Sequence, residues 1–91
     1  MDAKTWHVTL NLFEEGDHTR AEAVLRTSSG TEVRHSGVSR RSPGDRDVPE
    51  IGDELAVCRA LHGLAQDLLE ATVVDVWAND PTGPQPRIQV N

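Results

Sequence analysis

Four histidines and one cysteine are the residues best suited to hold a metal or to act as base and nucleophile: His7, His18, His35, His62 and Cys58. A metal site needs such ligands at matched spacing, for example two on one helix face four residues apart. No pair here has that spacing. Alternation along the strands assigns His7 and His35 to an outer sheet face, a turn takes His18, and His62 falls at the edge of a helix stripe. Cys58 falls within that apolar stripe, where a free thiol behaves as a small hydrophobe. A reactive cysteine would need an activating neighbour, and none is expected. Ser28, Ser29, Ser36, Ser39 and Ser42 lie in no nucleophile motif. "SSGT" lacks the length and the lysine of a phosphate-binding loop. The expectation is a protein with no catalytic, cofactor-binding or metal-ligating residues, and not an enzyme.

The arginines carry more information. Phe13, Arg20, Val24, Arg26, Arg34, Val38 and Arg40 fall together on one face of the expected sheet, as a candidate interface. Arginine beside apolar and aromatic residues is the composition of a protein interface. It also suits RNA, where arginine contacts phosphates and rings stack on bases. An ordinary solvated face, with Glu22 and Glu32 offsetting the charge, is the third reading.

The elements that would position these residues follow from periodicity. Residues 5–13, "TWHVTLNLF", alternate in the manner of a half-buried strand, with Trp6, Val8, Leu10 and Leu12 on one side. "EEGDH" supplies a turn at Gly16-Asp17. Residues 19–27 alternate again, with Ala21, Ala23 and Leu25 inward. "SSGT" is a second turn, and residues 32–40 form a third strand with Val33 inward. Gly37 is expected to mark a bulge. The spacing predicts an antiparallel meander with Phe13 opposite Arg20 and Arg26 opposite Glu32. Both pairings keep the apolar residues on one face.

A loop, "SPGDRDVP", leads into a long helix. Asp47 stands three residues before Glu50, as in a capping box, and Pro49 suits the first turn. The expected buried stripe runs through Ile51, Leu55, Cys58, Leu61, Ala65, Leu68, Leu69 and Thr72, widened by Val57 and Leu64. Arg59, Gly63, Gln66, Asp67 and Glu70 form the expected wet face. "ATVVDVWAND" either prolongs the helix or forms a short second one, because Val73, Val74 and Val76 mildly disfavour helix. "RIQV" at the end is a candidate tail strand.

With 91 residues, 36% of them apolar, the chain fits a single lean α+β domain, its core spanning about residues 5–78 and a tail following from 79 to 91. A small core favours self-association, and exchange of the tail between subunits is one form of it. One cysteine excludes an intrachain disulfide. No signal peptide and no apolar run of membrane-spanning length is present, so a cytoplasmic protein with no membrane partner is expected. The net charge of −6 is unevenly placed. Residues 1–46 hold seven bases and seven acids; residues 47–91 hold Arg59 and Arg87 against eight acids.

Two stretches, "TWHVTLNLFEEGDHTRAEAVLR" (5–26) and "RDVPEIGDELAVCRALHGLA" (46–65), resemble a family of small actinobacterial proteins of unknown function. The matching features are the acidic turn before Thr19-Arg20-Ala21, the run Pro49-Glu50-Ile51-Gly52-Asp53-Glu54-Leu55, and Arg59-Ala60-Leu61. "VRHSGVSRR" departs from the family's third strand, which carries more Gly and Val. The resemblance implies a β-β-β-α domain with a double-stranded-RNA-binding-domain-like fold and a tendency to dimerise. It also implies a likeness to ribosome hibernation factors and a stress or dormancy role, with no catalytic residue assigned.

The helix entrance tests the RNA part of that likeness. A double-stranded-RNA-binding domain presents a lysine-rich helix N-terminus to phosphate. Here the corresponding positions read Asp47, Glu50, Asp53 and Glu54. Glu50, Asp53 and Glu54 suit the positive end of the helix dipole, at about 0.3–1 kcal/mol each, and all four acids would repel a phosphate backbone. Duplex RNA is therefore not expected at this entrance. The sequence points to a homodimer working through protein contacts, with a ribosome-associated factor using the sheet face as the alternative.

Overall fold

The computed structural model describes residues 2–41 and 49–79. Three strands precede one helix: β1 (His7–Glu15), β2 (His18–Arg26), β3 (Glu32–Arg40) and α1 (Pro49–Asn79). The strands form one antiparallel sheet in the order β1-β2-β3, the α+β arrangement expected. Gly16 and Asp17 alone separate β1 from β2, and Gly16 has φ 61°. A two-residue hairpin with a positive φ at its first central position follows the right-handed twist of the strands. The second turn closes through Gly30 N–H to the Thr27 carbonyl at 3.1 Å and Thr27 N–H to the Thr31 carbonyl at 3.0 Å.

The register is the one that keeps apolar residues on one face. Phe13 lies opposite Arg20 and Arg26 opposite Glu32. The β2–β3 ladder runs without interruption from His18–Arg40 to Arg26–Glu32, with Gly37 opposite Ala21. There is no bulge at Gly37, contrary to the expectation. Its glycine is explained by the helix instead. A Cβ at position 37 would meet the Ala56 carbonyl oxygen at 2.5 Å, the Arg59 carbonyl carbon at 2.8 Å and the Ala60 nitrogen. The helix backbone lies directly on this point of β3.

α1 opens with Pro49, whose missing N–H costs nothing in a first turn, and runs unbroken for 31 residues. Of the two readings open for "ATVVDVWAND", prolongation holds through Asn79, since a mild propensity is readily overridden. Asp47 and residues 42–48, and the proposed tail strand within 80–91, lie outside the described residues.

The face of α1 turned to the sheet differs from the expected one. Ala56, Ala60 and Leu64 pack on Ala21, Ala23 and Leu25, with Val33, Val57 and Leu68 at the margin. Gly63, expected on the wet face, is buried, whereas Ile51, Leu55, Cys58, Leu61, Ala65 and Thr72 are exposed. Leu68 and Leu69 are half-buried. The reason is distance. Only small side chains fit where two backbones approach this closely, so the small-residue face goes inward and the bulky stripe faces away.

Polar contacts fix the helix along β3. Ser39 Oγ donates to the Gly52 carbonyl at 2.7 Å, and Arg59 Nη1 donates to the Val38 carbonyl at 2.6 Å. His35 Nδ1 meets Asp67 Oδ2 at 2.9 Å. α1 therefore sits on β2 and β3 and only grazes β1.

Candidate functional site

All seven candidate interface residues lie on the outer sheet face, away from α1, as the strand parity requires. The Arg20 guanidinium sits over the Phe13 ring, 4.4 Å from its centroid, a cation–π contact across the β1–β2 pair. Val24 is buried between its cross-strand neighbours Thr9 and Arg34. Val38 remains exposed.

The arginines are not equivalent. Arg26 Nε donates to Glu32 at 3.1 Å. Arg34 bridges Glu32 at 2.9 Å and Glu22 at 3.3 Å. This half of the face is a neutralised lattice of surface ion pairs, each worth little on its own. Arg20 and Arg40 sit at the other end, beside the Gly16-Asp17 hairpin. There Asp17 Oδ1 takes a 3.3 Å contact from His18 Nδ1. That contact holds the Asp17 carboxyl below its ordinary range, with Arg40 adding a smaller push in the same direction.

The Arg26 guanidinium, then Arg34, likewise hold the Glu32 carboxyl below the ordinary carboxylate range. A depressed folded-state pKa adds stability above the unfolded value, which is lost as pH falls through the folded value. Glu32→Gln is therefore expected to lower stability slightly at pH 7, and the deficit relative to wild type should shrink as pH falls below the carboxylate range. Urea denaturation of both proteins across that range checks this. A deficit that grows toward acid would contradict the ion-pair assignment.

Two sequence assignments are corrected on the inner face. His35 lies there, not on the outer face, because it shares parity with Val33 and Ser39. Its ring rests on Gly63: a Cβ at 63 would meet Cγ at 2.6 Å and also Cδ2 and Nε2. Asp67, expected to be wet, is half-buried and binds this ring. A histidine oriented by a carboxylate is a component of general-base sites, but here the ring is stacked on a helix glycine, and the pair straps β3 to α1. Sequence periodicity missed the strap; the parity of Val33 was the signal that could have found it. Cys58 is exposed on the outer side of α1 and not part of the core.

The second feature of the surface is apolar. On β1, Val8, Leu10 and Leu12 point to the inner side of the sheet, yet they are 48, 36 and 41% exposed. Trp6, just ahead of them, is also exposed. On α1, Ile51 and Leu55 are 63 and 40% exposed and lie, with Cys58 and Leu61, away from the sheet. Every residue of β1 is exposed. No helix among the described residues is long and apolar enough to cross a membrane.

Residues 4–83 match the Rv2632c-like family. A Mycobacterium bovis protein named uncharacterized protein Mb1767 is 42% identical over 73 residues, which is 80% of this chain and 77% of that protein. The Mycobacterium tuberculosis protein named uncharacterized protein Rv2632c is 38% identical over 76 residues, 84% of this chain and 81% of that one. The crystal structure of Rv2632c superposes with a TM-score of 0.80 at 36% sequence identity, covering 92% of this chain and 98% of that one. The three-strand and long-helix framework that carries both surfaces is thus shared with mycobacterial relatives, and the chain belongs to the Rv2632c-like family.

Proposed function

We propose that the protein is a non-enzymatic, cytoplasmic protein that works through protein–protein contacts as a homodimer. The observation that supports this reading is the apolar inner side of β1, which α1 leaves in water. Contiguous exposed apolar surface of this kind marks interaction sites on otherwise soluble folds. The stress or dormancy role rests on the resemblance noted from the sequence, and so does the double-stranded-RNA-binding-domain-like description of the fold. Sedimentation velocity between about 1 and 100 µM tests the central claim. A concentration-dependent shift from one chain to two is expected; a single-chain species throughout would remove the dimer.

A ribosome-associated role is the second reading, and the Arg20–Phe13 pair with nearby Arg40 favours it. The engagement of Arg26 and Arg34 with Glu22 and Glu32 weakens it, because phosphate would have to displace carboxylates already bound. Glu50 and Glu54 are exposed at the helix entrance and oppose duplex RNA there.

A further inference from the structure

Among the described residues two apolar surfaces stand exposed, the inner side of β1 and one face of α1. Three strands about 4.8 Å apart span about 10 Å between their outer axes, so one helix of about 10 Å diameter seated over two of them leaves the third as an uncovered edge strip. α1 fills the half over β2 and β3. The strip over β1 is a slot open at the sheet edge, where a second helix can sit beside α1 and overhang the strand, and it is floored by Val8, Leu10 and Leu12. The second uncovered surface is itself a helix face, carrying Ile51, Leu55 and Cys58, on the side of α1 opposite Ala56 and Ala60.

Resting on the homodimer reading, we propose that each slot is filled by α1 of a second copy, forming a three-layer sandwich of sheet, two helices and sheet. In this assembly α1 lies with Ala56, Ala60 and Gly63 on its own sheet and with Ile51, Leu55 and Cys58 on the partner's β1. The flank bearing Leu61 and Leu68 points to the β1 side of the sheet, since Arg59 on the other flank is bound to β3. That flank therefore meets the partner's helix. Applying the same placement to both chains gives a two-fold symmetric, closed contact, as most homodimers have. It also accounts for a helix that is apolar on several sides at once, which is the pattern of a helix buried between layers.

The area supports a second copy. The exposed apolar side chains of β1, Trp6 and the helix stripe leave roughly 600–700 Å² in water per chain, close to the ~800 Å² per partner of a standard interface. The chain's own residues 80–91, "DPTGPQPRIQVN", supply only Ile88 and Val90 among prolines and polar residues.

Cys58 is the chain's single cysteine and serves as a reporter. In one chain it points away from its own sheet, so a disulfide from Cys58 to β1 must join two chains, because bridged Cα atoms lie within about 7 Å. Val8→Cys, Leu10→Cys and Leu12→Cys are made singly and oxidised mildly. At least one is expected to run as a covalent dimer on a non-reducing gel, while Val38→Cys on the outer face does not link to Cys58. Leu55→Glu, exposed in the single chain, should keep wild-type helical circular dichroism and weaken the dimer at least tenfold by sedimentation. A wild-type dimer with no β1–Cys58 link in any variant overturns the sandwich and leaves the homodimer reading standing. So does a Leu55→Glu dimer as tight as wild type. A wild-type chain that stays monomeric overturns both.

Discussion

Gly37→Ala is expected to destabilise the protein by about 3 kcal/mol, at the upper end for overpacking. The added methyl has no space to enter. It would meet the Ala56 carbonyl oxygen at 2.5 Å and the Arg59 carbonyl carbon at 2.8 Å. These are backbone atoms of a helix, which cannot rotate aside as a side-chain tip could. Relief requires α1 to lift from β3, which strains the Ser39–Gly52 and Arg59–Val38 hydrogen bonds and loosens Ala56 and Ala60 from the sheet. In a domain of this size each kcal/mol moves the melting temperature by roughly 4–8 °C. Thermal circular dichroism should therefore show a fall on the order of 10–20 °C. Ser36→Ala, one residue away on the exposed outer face, should change it by no more than a few degrees. An unchanged melting point for Gly37→Ala would mean that the helix does not rest on this glycine.

Leu64→Ala is expected to cost about 2–4 kcal/mol, whereas Leu61→Ala, three residues earlier, should cost well under half of that in dilute solution, where self-association is suppressed. Leu64 is 4% exposed and Leu61 39%. The buried core consists of Ala21, Ala23, Leu25, Ala56, Ala60 and Leu64, so the two leucines supply most of its aliphatic volume. Removing one leaves a cavity that alanines on either side cannot collapse to fill. Urea denaturation monitored by the far-ultraviolet signal measures both variants. Equal losses would place the bulky stripe, not the small-residue face, against the sheet.

The contrast between Leu61 and Leu64 also shows how far periodicity carries. The strands were legible because alternation has a period of two and the short Gly16-Asp17 turn leaves one register that keeps Val8, Leu10 and Leu12 with Ala21, Ala23 and Leu25. The outer face followed from the same parity, and Phe13 does meet Arg20. The helix was legible as a helix, but its inward face was not. Ile51, Leu55 and Cys58 recur at steps of three and four, and so do Gly52, Ala56, Ala60 and Gly63. A reading weighted by side-chain size selects the first set. The deciding information lies on another element, at Gly37, where close approach admits only small residues. His35 was misplaced although Val33 two residues before it already gave the side.

The length of α1 has a consequence for motion. Leu68 is the last helix residue packed on the core, yet the helix continues to Asn79, about 16 Å further at 1.5 Å per residue. In a single chain this extension can unwind without separating any strand. Its opening is governed by end fraying and by the weak helix preference of Val73, Val74 and Val76. The turns over Gly37 can open only with the whole domain. Amide hydrogen exchange along this one uninterrupted helix should therefore grade from protection at the level of global unfolding near Ala60 to rapid exchange near Ala78, so that one element of secondary structure behaves as two units of stability.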